Sequence, residues 1–275
     1  MSTPTVPTGL LYVFTETGPN VTNAEFTDWY DNEHVPLRTP LPFFHNATRW
    51  VATDDKQPTY LATYDLTSCA ALDEPAYTAL PANRSARERD VMGRMALVAR
   101  RTYDALPPPP PSSASAPSPI PGFTPLTLPA HARSAGAGNE CRADYDPLTP
   151  GPFLIAVEIA VPAEREAELA RWYADEHLPL LAAVPGWRRS RRFVLREVSA
   201  PTGARAAPGE LVPGAEGTPR LLALHEYASM DGFGSEEFKR ASTTEWRKRM
   251  FGMATAWERR VFKVMRTWVG EGSKA

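Results

Sequence analysis

Apolar residues recur in two patterns along this chain. Short runs rich in β-branched and aromatic residues, bounded by Gly or Pro, predict strands at 10–15, 45–52 and 60–66, and again at 153–161, 188–197 and 221–227. Between the first and second strand of each set the spacing turns helical. Thr22-Asn23-Ala24-Glu25 fits a capping box that opens the first helix, and Pro36 forces it to end near His34. Second helices are expected over 85–98 and 244–257, with final strands at 101–106 and 260–269. Each half therefore reads β-α-β-β-α-β. In the third strand of the second half, Leu221, Ala223 and Tyr227 share one face while Leu222 and Leu224 share the other. A sheet apolar on both faces is covered on both, so each sheet should meet its own helices on one side and the sheet of the other half on the other.

The two halves are copies. Trp29-Tyr30-Asp31-Asn32-Glu33-His34-Val35-Pro36-Leu37 lies over Trp172-Tyr173-Ala174-Asp175-Glu176-His177-Leu178-Pro179-Leu180. The match runs without a gap from Leu11 over Leu154 to Trp50 over Phe193. A later block places Met92-Gly93 over Phe251-Gly252 and Tyr103 over Phe262, so the second copy carries an insertion, placed at 199–218. The expected domains are residues 8–106 and 151–269. The segment 107–150 between them opens with Pro107–Pro111 and continues Ser-, Ala- and Gly-rich, as an extended linker does. His131 falls in it and is read as unstructured.

Composition narrows the class. Charged residues make up 23% of the 275 and the net charge is −2, which argues against a nucleic-acid footprint. Arg188, Arg189, Arg191 and Arg192 read as a solvated strand face. The two cysteines, Cys69 and Cys141, suggest neither a metal cluster nor a disulfide framework, and no metal site is expected. No apolar stretch is long enough to cross a bilayer and no signal peptide is read, so a cytoplasmic protein without a membrane partner is expected. Nucleophile elbows, phosphate-binding Gly loops and dinucleotide fingerprints are absent from the sequence.

Candidate chemistry sits in the repeated motif. At ~100° per residue Phe26, Tyr30 and Glu33 share a helix face, flanked by Trp29 and His34; Leu169, Tyr173 and Glu176 repeat this, flanked by Trp172 and His177. A carboxylate on an apolar stripe is unusual. Glu33 with His34, and Glu176 with His177, could serve as general acid and base, since His titrates near neutral pH. The same residues could equally cap the last turn of the helix, where a His is favoured by the dipole. Trp29 and Trp172 fit packing as readily as substrate contact.

A strand, a helix ending Trp-Tyr-x-x-Glu-His-x-Pro-Leu, then Pro185-Gly186-Trp187 and a second strand resembles the EthD-like family of the dimeric α+β barrel superfamily. Pro42-Phe43-Phe44 departs from this pattern in the first copy. The resemblance implies two ferredoxin-like repeats packed sheet to sheet as a dimer within one chain, with higher oligomers open. It also implies a pocket between sheet and helices faced by His34 and His177. Glu33, Glu176, Tyr30, Tyr173, Trp29 and Trp172 would be neighbours, with Tyr64, His225 or Arg49 binding a carboxylate or carbonyl. The function it implies is a cofactor-independent lyase or oxidoreductase acting on a small aromatic or polyketide-type molecule. A non-catalytic binding or stress-related protein is the alternative, and a haem protein is a further one.

Overall fold

The structure is a computed structural model, and it describes residues 6–107, 119–136, 138–146, 148–203 and 217–274. Ten strands are described: β1 (Gly9–Glu16), β2 (Phe44–Ala52), β3 (Tyr60–Leu66), β4 (Leu97–Ala105), β5 (Ala132–Gly136), β6 (Asn139–Arg142), β7 (Phe153–Ala160), β8 (Trp187–Val198), β9 (Leu221–Tyr227) and β10 (Ala256–Val269). The α-helices are α1 (Asn23–Trp29), α2 (Pro75–Thr78), α3 (Ala86–Arg94), α4 (Glu166–Trp172), α5 (Leu178–Ala182), α6 (Glu236–Thr243) and α7 (Glu245–Met253). Hydrogen bonding orders the strands β4-β1-β3-β2-β10-β7-β9-β8-β6-β5, and β4 also pairs with β8. The fold class is thus α+β: two ferredoxin-like repeats carrying an eight-stranded antiparallel barrel sheet, as expected.

By contacts the chain divides into two units. Unit 1 holds Met1–Ala105, Val194–Thr218 and Phe262–Ala275; unit 2 holds Leu106–Phe193 and Pro219–Val261. In unit 1, β1 is the inner strand, antiparallel to both β3 and β4, and β2 continues the sheet beyond β3. Residues 262–269 of β10 pair with β2, and Thr202 bridges Val98. Both faces of β1 are buried, since Leu10, Leu11, Tyr12 and Phe14 are all in the core. Helices α1 and α3 bring Phe26, Trp29, Tyr30 and Val91 onto the face that holds Leu11, Ala62 and Tyr64. In unit 2, β7 pairs with β9, and α4 and α7 bring Leu169, Trp172, Trp246 and Met250 onto Ile159 and Ala223. Removing water from aromatic side chains of this size is the main favourable term holding each helix pair to its sheet.

Local chemistry sets the helix ends. Thr22, Ser85, Ser235 and Thr244 each accept the backbone N–H three residues on, giving α1, α3, α6 and α7 an N-cap. After Trp29 and Trp172 the helices widen to π-helix, over Tyr30–His34 and Tyr173–His177. The N–H of Val35 reaches back to the carbonyl of Tyr30. A π turn carries one more residue than an α turn, which re-aims the side chains that follow.

Several expectations are corrected. Helix α3 is shorter than the pattern suggested because Leu97 and Val98 pair with Glu16 and Thr15 and so begin β4 early, and α7 ends at Met253 with β10 starting at Ala256. The segment read as a linker carries β5 and β6 in its described part, and β6 pairs with β8 through Asn139–Arg191 and Cys141–Arg189. It covers a strand edge that would otherwise be open. His131 is ordered there, its Nε2–H donating to the carbonyl of Ala182 at 2.8 Å. Pro108–Pro111 and residues 204–216 of the inserted loop lie outside the described residues. The strand match is also shifted by one residue: Leu11 opposes Tyr64 as Ile155 opposes His225, so Leu11 corresponds to Ile155 rather than Leu154. Arg189, Arg191 and Arg192 are buried rather than solvated.

Candidate functional site

In unit 1 a cavity of about 450 Å3 opens between sheet and helices. Leu11, Val13, Leu72, Met92 and Val98 give it apolar walls, and His34, Tyr64, Arg38, Arg84, Arg100 and Arg196 supply polar groups. Its size and mixed lining suit a small organic ligand.

His34 reaches this cavity from the end of the π turn. Its Nδ1 lies 2.8 Å from Oε1 of Glu88 on α3, with the two side chains 12% and 2% exposed. A carboxylate only accepts, so Nδ1 carries the proton and Nε2 is left as the ring atom for a ligand. Burial first, and then the Arg38 charge, pull His34 down to about 3 against the opposing pull of Glu88. The imidazole is therefore neutral. For Glu88, burial pushes upward, but the His34 hydrogen bond and the charges of Arg38 and Arg84 outweigh it, and the carboxyl stays below its usual range. Tyr64 and Tyr30 join hydroxyls at 2.8 Å, and burial raises both, keeping them protonated. Burial likewise lifts the Cys69 thiol to about 11, so this cavity residue is no thiolate. Arg38 donates to the carbonyl of His34 at 2.5 Å; among the described residues neither it nor Arg84 has a carboxylate ion pair. Arg100 and Arg196 are held by Ser199 and Asp104.

The expected Glu33–His34 pair does not form. Glu33 instead accepts from the hydroxyl of Ser85, the residue that caps α3. Glu176 does the same in unit 2, accepting from Thr244, the cap of α7, at 2.6 Å and from the indole of Trp172 at 3.0 Å. Both glutamates tie the motif helix to the cap of a later helix of the same unit, α3 in one and α7 in the other. Trp29 and Trp172 are core residues outside the cavities. Arg49 does not line the cavity either; it pairs with Asp31 and lies over the rings of Phe26 and Tyr30. The residue missed from sequence is Glu88. Its signal was Ser85-Ala86-Arg87-Glu88, a capping-box spacing, although its side chain turns to His34.

Unit 2 has lost this arrangement. His177, His225 and Tyr173 line a cavity of only about 70 Å3, crowded by Tyr227, Phe233, Phe238 and Phe251. Thr244 corresponds to Ser85, so Arg247 stands where Glu88 stands in unit 1, and it lines this cavity. Burial, helped by the charges of His225 and Arg247, pulls His177 well below its usual value, and Nδ1 has no hydrogen-bond partner. Burial also takes His225 down to about 3, with its Nδ1 against Ser190 at 2.8 Å. The described residues contain no cluster able to hold a metal ion and no helix long and apolar enough to cross a membrane.

No family model matches the sequence, nor does any curated protein. Solved structures do. An anthrone oxidase-like protein aligns over 98% of this chain and 95% of its own, at 13% identity and a TM-score of 0.57. A mutant chlorite dismutase from Candidatus Nitrospira defluvii aligns over 95% and 92%, at 7% and 0.49. A ferredoxin fold protein from Listeria monocytogenes, related to antibiotic biosynthesis monooxygenases, aligns over 95% and 97%, at 9% and 0.41. At such identities the likeness concerns the fold: this chain shares, over nearly its whole length, the α+β architecture of the anthrone oxidase-like protein.

Proposed function

We propose that unit 1 is a cofactor-independent catalyst of proton transfer on a small aromatic or polyketide-type substrate, with His34 as the base. The observation that carries this is the neutral His34 held by Glu88 at the wall of a 450 Å3 cavity, in a chain whose other copy has replaced that carboxylate by Arg247. Nε2 of His34 takes a proton from a phenol or an enolisable carbon; the new imidazolium is stabilised by Glu88, and the phenolate or enolate by Arg38 and Arg84. Magnitudes limit the substrate. With His34 near 3, proton transfer from a phenol of pKa ~10 is uphill by roughly 9–10 kcal/mol. One cation ~4 Å from the developing anion returns ~4 kcal/mol at an effective dielectric of ~20. Two arginines and the imidazolium can therefore close that gap, and a more acidic, resonance-stabilised substrate needs less.

The anthrone oxidase-like neighbour suggests fused-ring phenolic ketones, with dioxygen as oxidant, as the first compounds to assay. Once a turned-over compound is found, His34→Ala should lower kcat/KM by ~10²-fold or more while His177→Ala leaves it unchanged. Undiminished turnover by His34→Ala would sink the assignment. Binding with no product at all would favour the non-catalytic reading.

A further inference from the structure

Unit 2 holds a second and larger space away from His177. It measures about 190 Å3 and is walled by Ile159, Leu169, Leu221 and Ala223, with Tyr173, Arg192 and Glu166 as its polar lining, the Glu166 carboxylate being engaged by Arg220. Arg192 is only 3% exposed, and neither Nε nor Nη2 has a hydrogen-bond partner. The nearest carboxylate, Glu140, stands 3.8 Å away, beyond hydrogen-bond reach, and burial pushes its own pKa upward. A guanidinium cannot shed its proton, so Arg192 stays charged with only a long ion pair to Glu140 and the Tyr173 ring, 5.7 Å away, to offset it, and two of its nitrogens make no hydrogen bond.

The repeat explains how this arose. Arg49 occupies the matching position in unit 1, where Asp31 pairs with it and the rings of Phe26 and Tyr60, 4.8 Å apart, fill the space beside it. In unit 2 Asp31 has become Ala174, Phe26 has become Leu169 and Tyr60 has become Leu221. Three substitutions have removed the arginine's carboxylate and the two rings that filled its surroundings. What they leave is a largely apolar chamber with a buried cation on its wall and, in its lining, a carboxylate already paired with Arg220.

We propose that this chamber is a binding site for a small apolar monocarboxylate, whose carboxylate stands in for the missing Asp31 side chain on Arg192. Size sets the class. An engineered apolar cavity of ~150 Å3 accepts benzene, so 190 Å3 takes one aromatic ring or a short branched acyl chain and no fused-ring system. A planar carboxylate matches the guanidinium fork, and its apolar body meets the leucines. The site is independent of the chemistry assigned to His34.

Sodium benzoate is the probe, titrated into the full chain with the methyl groups of Leu169 and Leu221 followed by 13C NMR. Saturable shifts of both methyls are expected. Ala174→Asp, which restores the internal partner found in unit 1, should weaken binding at least tenfold, and Leu169→Phe should do so by filling the chamber. Absence of methyl shifts at millimolar benzoate overturns the proposal, whatever the variants do. So does affinity unchanged in Ala174→Asp, or equal binding of uncharged benzamide, since either removes Arg192 from the recognition.

Discussion

Replacing Glu88 by Gln isolates what the buried carboxylate does for His34. The side chain keeps its shape and its position on α3, and only its charge is lost. The contact at 2.8 Å is a hydrogen bond to a charged group, of a kind worth ~1.5–3 kcal/mol, whereas its neutral replacement is worth ~0.5–1.5 kcal/mol. The difference, on the order of 1–1.5 kcal/mol, falls on the imidazolium that forms as His34 takes the proton, and so on the transition state more than on the bound substrate. One pKa unit is 1.36 kcal/mol, so kcat should drop about tenfold with KM little changed. The 15N shifts of His34 provide a readout independent of turnover. The wild-type ring should show one protonated Nδ1 and one unprotonated Nε2, and the variant a mixture, because an amide can donate as well as accept. A variant with the wild-type kcat and an unchanged tautomer would refute the reasoning, since the carboxylate would then hold neither proton nor charge in place.

Other outcomes follow from the same geometry. Arg247→Glu in unit 2 should raise the titration of His177, read by 15N NMR, because it replaces a repelling cation with an attracting anion; with about 70 Å3 beside it, His177 should still turn nothing over. Thr244→Ala removes the cap of α7 and a donor to buried Glu176, and should cost about 1–3 kcal/mol in urea unfolding while leaving chemistry in unit 1 intact. Acid should destabilise the protein early. His34 and His225 are held near 3 when folded but take up protons near 6.5 when unfolded, so the stability they contribute is present above about pH 6.5 and is lost as pH falls toward 3. Between pH 7.5 and pH 5 each should cost roughly 2 kcal/mol, and equal unfolding free energies at those two pH values would contradict the buried neutral state of both.

The sequence by itself determined the duplication, the order of elements and the motif. Strand and helix periods are local properties, and so are the caps at Thr22 and Ser85, one of them read from four residues. The family resemblance, not the sequence pattern, named His34 and Tyr64 for one pocket, and both line the unit 1 cavity. Only the tertiary structure decided which carboxylate serves His34. Glu33 is adjacent in sequence, but the π turn and the cap of α3 direct it to Ser85, while Glu88 arrives from 54 residues away. A side chain's partner is set by where another helix packs, and no local period encodes that. The same holds for the one-residue shift between Leu154 and Ile155, which decides which face of a strand meets a cavity. It holds for the segment that pairs with β8 instead of merely joining the copies, and for volume. Leu169 and Leu221 read as ordinary core residues, and only their packing against Arg192 reveals a chamber where unit 1 has two rings.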